Sequence, residues 1–364
     1  MNPINIVMAF FAVIGALDRI FGNRFKLGEE FERGFMLLGK MALSMVGMII
    51  LAPYIADLLE PLFNWVYNTF SIDPSIIPVI VIANDMGGAA LATEITKTPE
   101  IGMFNAMIVS AMMGSTISYV VPFALTTVKK EVTRELFLGM LCGFVTIPFA
   151  ALISGVVMGL PFLPFLITLL PLFLFALLIV IGLLFAPDFT AKVFSIIGTC
   201  IKGLATIGLA LGIIDVLLNK RLIQNVGEVQ EGAWICFRAA ITLSGAFPLM
   251  RIISLLLSKT LNWISRKTGL NSVSTMAFIS TLVSSSTIFD TMHKMDKKGV
   301  FLNSAFLVSA SFVVGGHLAF TMAYNADYVV PMILTKLLGG VMALALAIVL
   351  SKRLCPSEPQ ENTL

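Results

Sequence analysis

Fifty-two consecutive residues, Leu136 to Pro187, contain no Asp, Glu, Lys or Arg. A helix that crosses a bilayer needs about 20 apolar residues, so this run alone holds two spans. The rest of the chain agrees. Of its 364 residues 58% are apolar and 12% charged, against roughly 25% charged in a water-soluble domain. These numbers predict an all-α polytopic integral membrane protein.

Apolar windows separated by charged or Pro/Gly punctuation give about eleven segments: 4–21, 34–59, 74–96, 101–128, 136–159, 162–187, 193–218, 233–257, 271–292, 300–325 and 328–351. The connectors are short, so residues 1–351 read as one transmembrane transporter domain, with a polar, disordered tail over 352–364. No stretch is long enough for a separate catalytic or nucleotide-binding domain, which argues against ATP-driven transport by this chain alone. Lys and Arg fall on both sides of any simple alternation, so the positive-inside rule selects no orientation. The first apolar stretch, Ile4 to Ala16, lacks a basic leader and a cleavage site and reads as a first span. With no organellar targeting segment, a bacterial cytoplasmic (inner) membrane is the expected location. The net charge of +3 gives no reason to expect nucleic acid. Cys142, Cys200, Cys236 and Cys355 form neither CxxC nor Cys/His spacings, so no metal site and no disulfide framework is expected.

Two apolar segments carry polar clusters at their centres: Asn84-Asp85 in one and Ser284-Ser285-Ser286-Thr287 in the other. Thirty-one residues after Asn84 and Ser284 come further small or polar clusters, Gly114-Ser115-Thr116 and Gly315-Gly316-His317. Transporters are often built from two such repeats, whose interrupted helices meet at a substrate site near the bilayer midplane. The spacing predicts repeats over 34–128 and 232–325, with broken helices.

An ionised carboxylate in hydrocarbon costs about 2.5–3.5 kcal/mol even on the lenient insertion scale. Asp85 therefore points to a carboxylate that faces a polar cavity and pairs with a cation; the alternative is a structural Asp held by Asn84 and neighbouring hydroxyls. Gly87, Gly88 and Gly114 either loosen their helices or let helices pack closely, and Gly315 and Gly316 pose the same choice. Four hydroxyls in one turn at 284–287 exceed what back-bonding to a carbonyl requires. Asp290, one turn later, lies either in the same cavity or at the interface. His317 reads as a hydrogen-bond partner or pH-sensitive group, or as a core histidine. Tyr119, Tyr324 and Asn325 are weaker cavity candidates, since aromatic faces attract ammonium groups. Glu94 is expected at the interface beside Lys97, and Asp18-Arg19, Lys40 and Asp57-Glu60 read as interface or ion-pair residues. The chain has no DDxxD, HExxH or GxSxG; Gly114-Ser115 with His317 lacks the context of a nucleophile elbow. No enzyme is expected.

The marked stretches resemble the ethanolamine-utilisation membrane protein family EutH. Those that carry the resemblance are Asp18-Arg19-Ile20, GFMLLGKMALSMVGMIILAP (34–53), NDMGGAALATEI (84–95), AMMGSTISYVVPFAL (111–125), GFVTIP (143–148), KMDKKG (294–299), SAFLVSASFVVGGHLAF (304–320) and TKLLGG (335–340). The resemblance implies a multi-pass permease for ethanolamine or a related small amino alcohol, with no cofactor. The family pattern has Asn-Asn-Ile-Pro where this chain has Ser284 to Thr287, and Gly-Asp-His where it has Gly315-Gly316-His317. Asp85 and His317 remain, and Asp290 is placed to restore the lost charge. For such a substrate, a compact ammonium calls for a carboxylate and a hydroxyl for amide, hydroxyl or imidazole partners, so the ammonium is expected near Asp85, helped by Asp290, with Asn84, Ser284, Ser285 and His317 around the hydroxyl. Another small polar solute, or a sensor or scaffold without transport, are the competing readings. The sequence sets no oligomeric state; a homodimer is compatible with it.

Overall fold

The structure, a computed structural model, describes residues 3–354. Among them it contains helices and no strands. In order these are α1 (Pro3–Ile20), α2 (Leu27–Met36), α3 (Leu38–Phe70), α4 (Ile76–Val79), α5 (Gly88–Ile95), α6 (Pro99–Phe104), α7 (Val121–Thr127), α8 (Thr133–Val157), α9 (Phe162–Phe185), α10 (Pro187–Leu218), α11 (Val229–Thr268), α12 (Ser272–Val283), α13 (Ser285–Thr291), α14 (Lys297–Ala310), α15 (Gly316–Tyr324) and α16 (Val329–Leu354). The chain between α6 and α7 is wound as π-helix over Asn105–Gly114 and Thr116–Val120, so 99–127 is one continuous span. Among the described residues, eight helical stretches are long and apolar enough to cross a membrane. Residues 355–364, most of the expected polar tail, lie outside the described residues.

The segments 74–96 and 271–292 are too broken to be counted among those eight, and neither crosses. Each is a re-entrant hairpin whose two ends are tied together. In the first, the Asp73 carboxylate accepts the backbone N–H groups of Ser75 (3.0 Å), Lys97 (3.0 Å) and Thr98 (2.8 Å) and the Thr96 hydroxyl (3.0 Å). That closes the base, and α4 runs in and α5 runs back. In the second, the Asp296 carboxylate accepts the Asn271 N–H (3.0 Å), the Ser274 hydroxyl (2.7 Å) and the Gly299 N–H (3.0 Å), while Asn271 Nδ2 donates to the Lys294 carbonyl (2.9 Å). Hydrogen bonds to charged groups contribute about 1.5–3 kcal/mol each, so each aspartate clamps its hairpin.

The hairpins enter from opposite ends of the bundle. The first is anchored where α8 passes into α9, because the Asp73 N–H donates to Thr168 Oγ1 (3.1 Å) on α9. The second is anchored where α8 begins, its 292–294 turn packing on the 130–132 turn. The segment 300–325 does cross, as α14 and α15 joined by a turn over 311–315. The eleven apolar segments thus become nine crossings and two hairpins. That parity separates the charges. The connectors FGNRFKLGEEFER (21–33), VKKEVTRE (128–135) and HKMDKKG (293–299) share one face. The other face carries Lys97, Lys220 and Arg221 as its connector cations. By the positive-inside rule the basic face is cytoplasmic, and the orientation that the sequence alone left undecided follows from the hairpins.

In a cysteine-free background, Asn68→Cys and Lys97→Cys are expected to react with a membrane-impermeant maleimide in intact cells. Lys294→Cys is expected to react only after permeabilisation. Labelling of Asn68→Cys and Lys97→Cys from opposite faces would turn the first hairpin into a span.

Candidate functional site

The hairpin tips are built from residues that tolerate an interrupted helix. Gly87 has φ +99°, a left-handed conformation that suits glycine, and it turns the chain between Asn84-Asp85-Met86 and α5. At the second tip Ser284 is extended (φ −162°, ψ 134°) between α12 and α13. Interruptions at membrane depth expose carbonyls that must be satisfied by protein. The Ile82 carbonyl accepts the Ser110 hydroxyl at 2.7 Å and lies so close to the π-wound helix that a methyl carbon at Gly114 would sit 2.1 Å from it. The Val283 carbonyl meets Gly315 at the α14–α15 break in the same way, again 2.1 Å from a methyl carbon placed there. The Phe312 and Val314 N–H groups donate to the Thr281 and Leu282 carbonyls (3.1 and 2.8 Å).

The two tips and the α14–α15 break converge on a cavity of about 650 Å³. Its floor is formed by Ala83, Asp85, Met86, Ser115, Tyr119, Val283, Ser284, Ser286, Phe312, Gly316 and His317. Its mouth is lined by Arg33, Met36, Lys40 and Lys202, all exposed. Arg33 stacks over the Phe247 ring at 4.9 Å.

Asp85 supplies the charge of the floor. No side chain among the described residues makes an ion-pair contact with it. Its backbone N–H donates to Asn84 Oδ1 at 2.9 Å, and its carboxylate faces Gly316, where a methyl carbon would come within 3.4 Å of Oδ2. Opposite stand hydroxyls. Ser284 and Ser286 pair at 2.6 Å, and Ser286 faces the Tyr119 phenol. Tyr119 stacks on Phe123 and meets Phe312 edge to face. Phe312 has φ +62°, a costly conformation for a bulky side chain; it tilts over the His317 imidazole at 5.2 Å. His317 is buried, and its Nδ1 has no hydrogen-bond partner. A carboxylate, three hydroxyls, an imidazole and aromatic faces around one small space can hold a compact cation that also carries a hydroxyl.

The family model described as Ethanolamine utilisation protein, EutH, matches residues 2–350. The chain belongs to this family. A probable ethanolamine permease EutH of Listeria monocytogenes serotype 1/2a (strain 10403S) is 41% identical over 350 residues, covering 96% of this chain and 93% of the relative. A probable ethanolamine permease EutH of Escherichia coli (strain K12) is 32% identical over 382 residues, covering 94% of each. The uncharacterized protein YxeR of Bacillus subtilis (strain 168) is 34% identical, covering 95% of this chain and 94% of the relative. No solved structure matches it.

In this EutH-family chain, Asp85, Ser284, Gly316 and His317 line the cavity as the sequence suggests. Asn84 lies behind the floor, fully buried, with Nδ2 unpartnered. Ser285 is also fully buried and outside the lining, because the helical turn of α13 points it away from Ser284 and Ser286. Asp290 is exposed and absent from the cavity; α13 carries it back towards the hairpin base, so it adds no charge to the floor. Gly87, Gly88, Gly114 and Gly315 act through backbone turns and close approach. Tyr324 bonds Thr93 (2.8 Å) and Asn325 caps a turn, both away from the cavity. Glu94 is exposed at the end of α5. Lys336, quoted in the TKLLGG motif but given no role, is the residue that sequence reasoning missed. It is 0% exposed, its Nζ donates to the Ala111 carbonyl, and its charge acts on Asp85.

Gly114→Ala and Gly315→Ala are each expected to lower stability by about 1–3 kcal/mol, as overpacking does, and to open the tip they support. Urea unfolding in detergent micelles checks this; unchanged midpoints for both would mean that the tips do not rest on these glycines.

Proposed function

We propose that the protein is a membrane permease for ethanolamine or a closely related small amino alcohol, working by alternating access. The observation that carries this reading is Asp85, a carboxylate at the floor of an open cavity with no ion-pair contact among the described residues. Ethanolamine is a small cation with a hydroxyl at the other end. Its ammonium suits Asp85 and the Tyr119 face, and its hydroxyl suits Ser284, Ser286 and His317. The names of the Listeria and Escherichia relatives point to the same substrate.

The same units suggest how access alternates. We propose that 34–128 and 232–325 are inverted repeats, each a hairpin followed by an interrupted crossing helix. Ile82–Gly114 and Val283–Gly315 are equivalent contacts in this scheme. So are the bonds from Asn105 Nδ2 to Ser75 Oγ (2.9 Å) and from Asn303 Nδ2 to the Ser274 carbonyl (2.9 Å). Rocking of one unit against the other would close this mouth and open the site to the opposite face. Arg33, Lys40 and Lys202 make the present mouth positive, which lowers the concentration of a cation there and favours release over recapture.

Purified protein in liposomes is expected to take up labelled ethanolamine saturably, above protein-free liposomes. Asp85→Asn removes a charge-assisted contact of about 1.5–3 kcal/mol, so uptake at low substrate should fall by roughly 10- to 100-fold. Uptake no greater than in empty liposomes would remove ethanolamine as the substrate. Normal uptake by Asp85→Asn would remove Asp85 from the site and leave the permease.

A further inference from the structure

Lys336 stands on α16, outside the cavity lining, with no exposed surface. Its ammonium has three N–H groups, and among the described residues it donates to the Ala111 carbonyl of the π-wound helix. A lysine so placed is rare within a membrane and is usually functional. The same Ala111 carbonyl accepts the hydroxyl of Ser115 (2.9 Å), which lines the cavity together with Asp85 on the first hairpin and His317 on α15, the titratable groups on that side of Lys336. The neighbouring helices present neutral groups: the Ala111 carbonyl from the π-wound helix, Ser309 of α14 packed on Gly339, and Thr146 of α8 bonded to the Gly339 carbonyl at 3.2 Å. Asp85 and Lys336 therefore balance each other's charge without touching. The space beside the carboxylate stays open to the cavity.

Resting on the permease reading, we infer that Lys336 is the coupling residue: it supplies the resident positive charge that balances Asp85 in the empty carrier and gives up its proton when the substrate's ammonium takes over that role. In the release step an Nζ–H bond breaks, the electron pair stays on the nitrogen, and the proton passes to the Ser115 hydroxyl, which gives its own proton to water in the cavity. In the reverse step Lys336 takes a proton from that water as the substrate leaves. A low-dielectric interior penalises unbalanced charge. The two balanced forms, Asp85 with protonated Lys336 and Asp85 with bound ammonium and neutral Lys336, are the ones that rock across the membrane. One cation then moves in as one proton moves out. The net event equals transfer of one neutral amine, and it is indifferent to membrane voltage.

The test uses the full-length protein in liposomes that hold a pH-sensitive dye, with voltage clamped by potassium and valinomycin, at a pH where free neutral ethanolamine is scarce. The wild type is expected to release one luminal proton per labelled ethanolamine taken up, with no change in final accumulation between 0 and −100 mV. A uniporter would instead accumulate the cation about 50-fold at −100 mV; that result, with no proton counterflow, overturns the inference and leaves the permease intact. Lys336→Arg keeps a cation that does not lose its proton and is expected to lower net uptake at least tenfold while the protein stays monodisperse. Normal one-for-one exchange by Lys336→Arg would equally overturn it. Absence of saturable uptake by the wild type would bring down the permease reading and this inference with it.

Discussion

Everything in this structure depends on how interrupted backbone is kept at membrane depth. In hydrocarbon each unpaired N–H or C=O costs several kcal/mol, so a helix can break only where protein covers the break. The Ile82 and Val283 carbonyls lie against Gly114 and Gly315 because those residues have no side chain. With the tips held there, the bases are fixed by Asp73 and Asp296, two carboxylates that gather the ends of their hairpins. Polar tips at the centre and charged clamps at the rims leave the rest of the chain free to be as apolar as lipid requires.

Electrostatics follows from that geometry. The first tip brings Asp85 to the cavity floor, and the second brings Ser284 and Ser286 opposite. The break before α15 adds His317 and the strained Phe312, whose left-handed backbone aims its ring between Tyr119 and the imidazole. Strain at such a site is expected where the surrounding packing over-determines a residue. Lys336 completes the arrangement from behind, so that the site offers a carboxylate to a ligand without leaving a bare charge in the membrane.

Much of this was legible in the sequence. A charge-free run of 52 residues required helices in a bilayer, and Asn84-Asp85 and Ser284 to Thr287 could not sit inside apolar segments without marking interruptions. Resemblance to EutH and the later family match agree. What the sequence concealed was parity. An apolar segment of some twenty residues reads as a crossing, and its return becomes visible only when Asp73 is seen to hold Lys97 and Thr98. The charge asymmetry was hidden for the same reason. Asp290 looked like a neighbour of Ser286 because one turn separates them, but α13 leads outward from the tip. Lys336 was overlooked because a lysine near the start of a span usually reaches the interface, and its burial depends on packing by helices distant in sequence.

We propose that the two hairpin tips and the α14–α15 break form one cation site around Asp85. A structure determined at saturating ethanolamine tests it directly. A ligand is expected at the floor, its nitrogen within hydrogen-bonding distance of the Asp85 carboxylate and its oxygen turned to Ser284, Ser286 or His317. Ethanolamine bound elsewhere in the bundle, with Asp85 untouched, would contradict it.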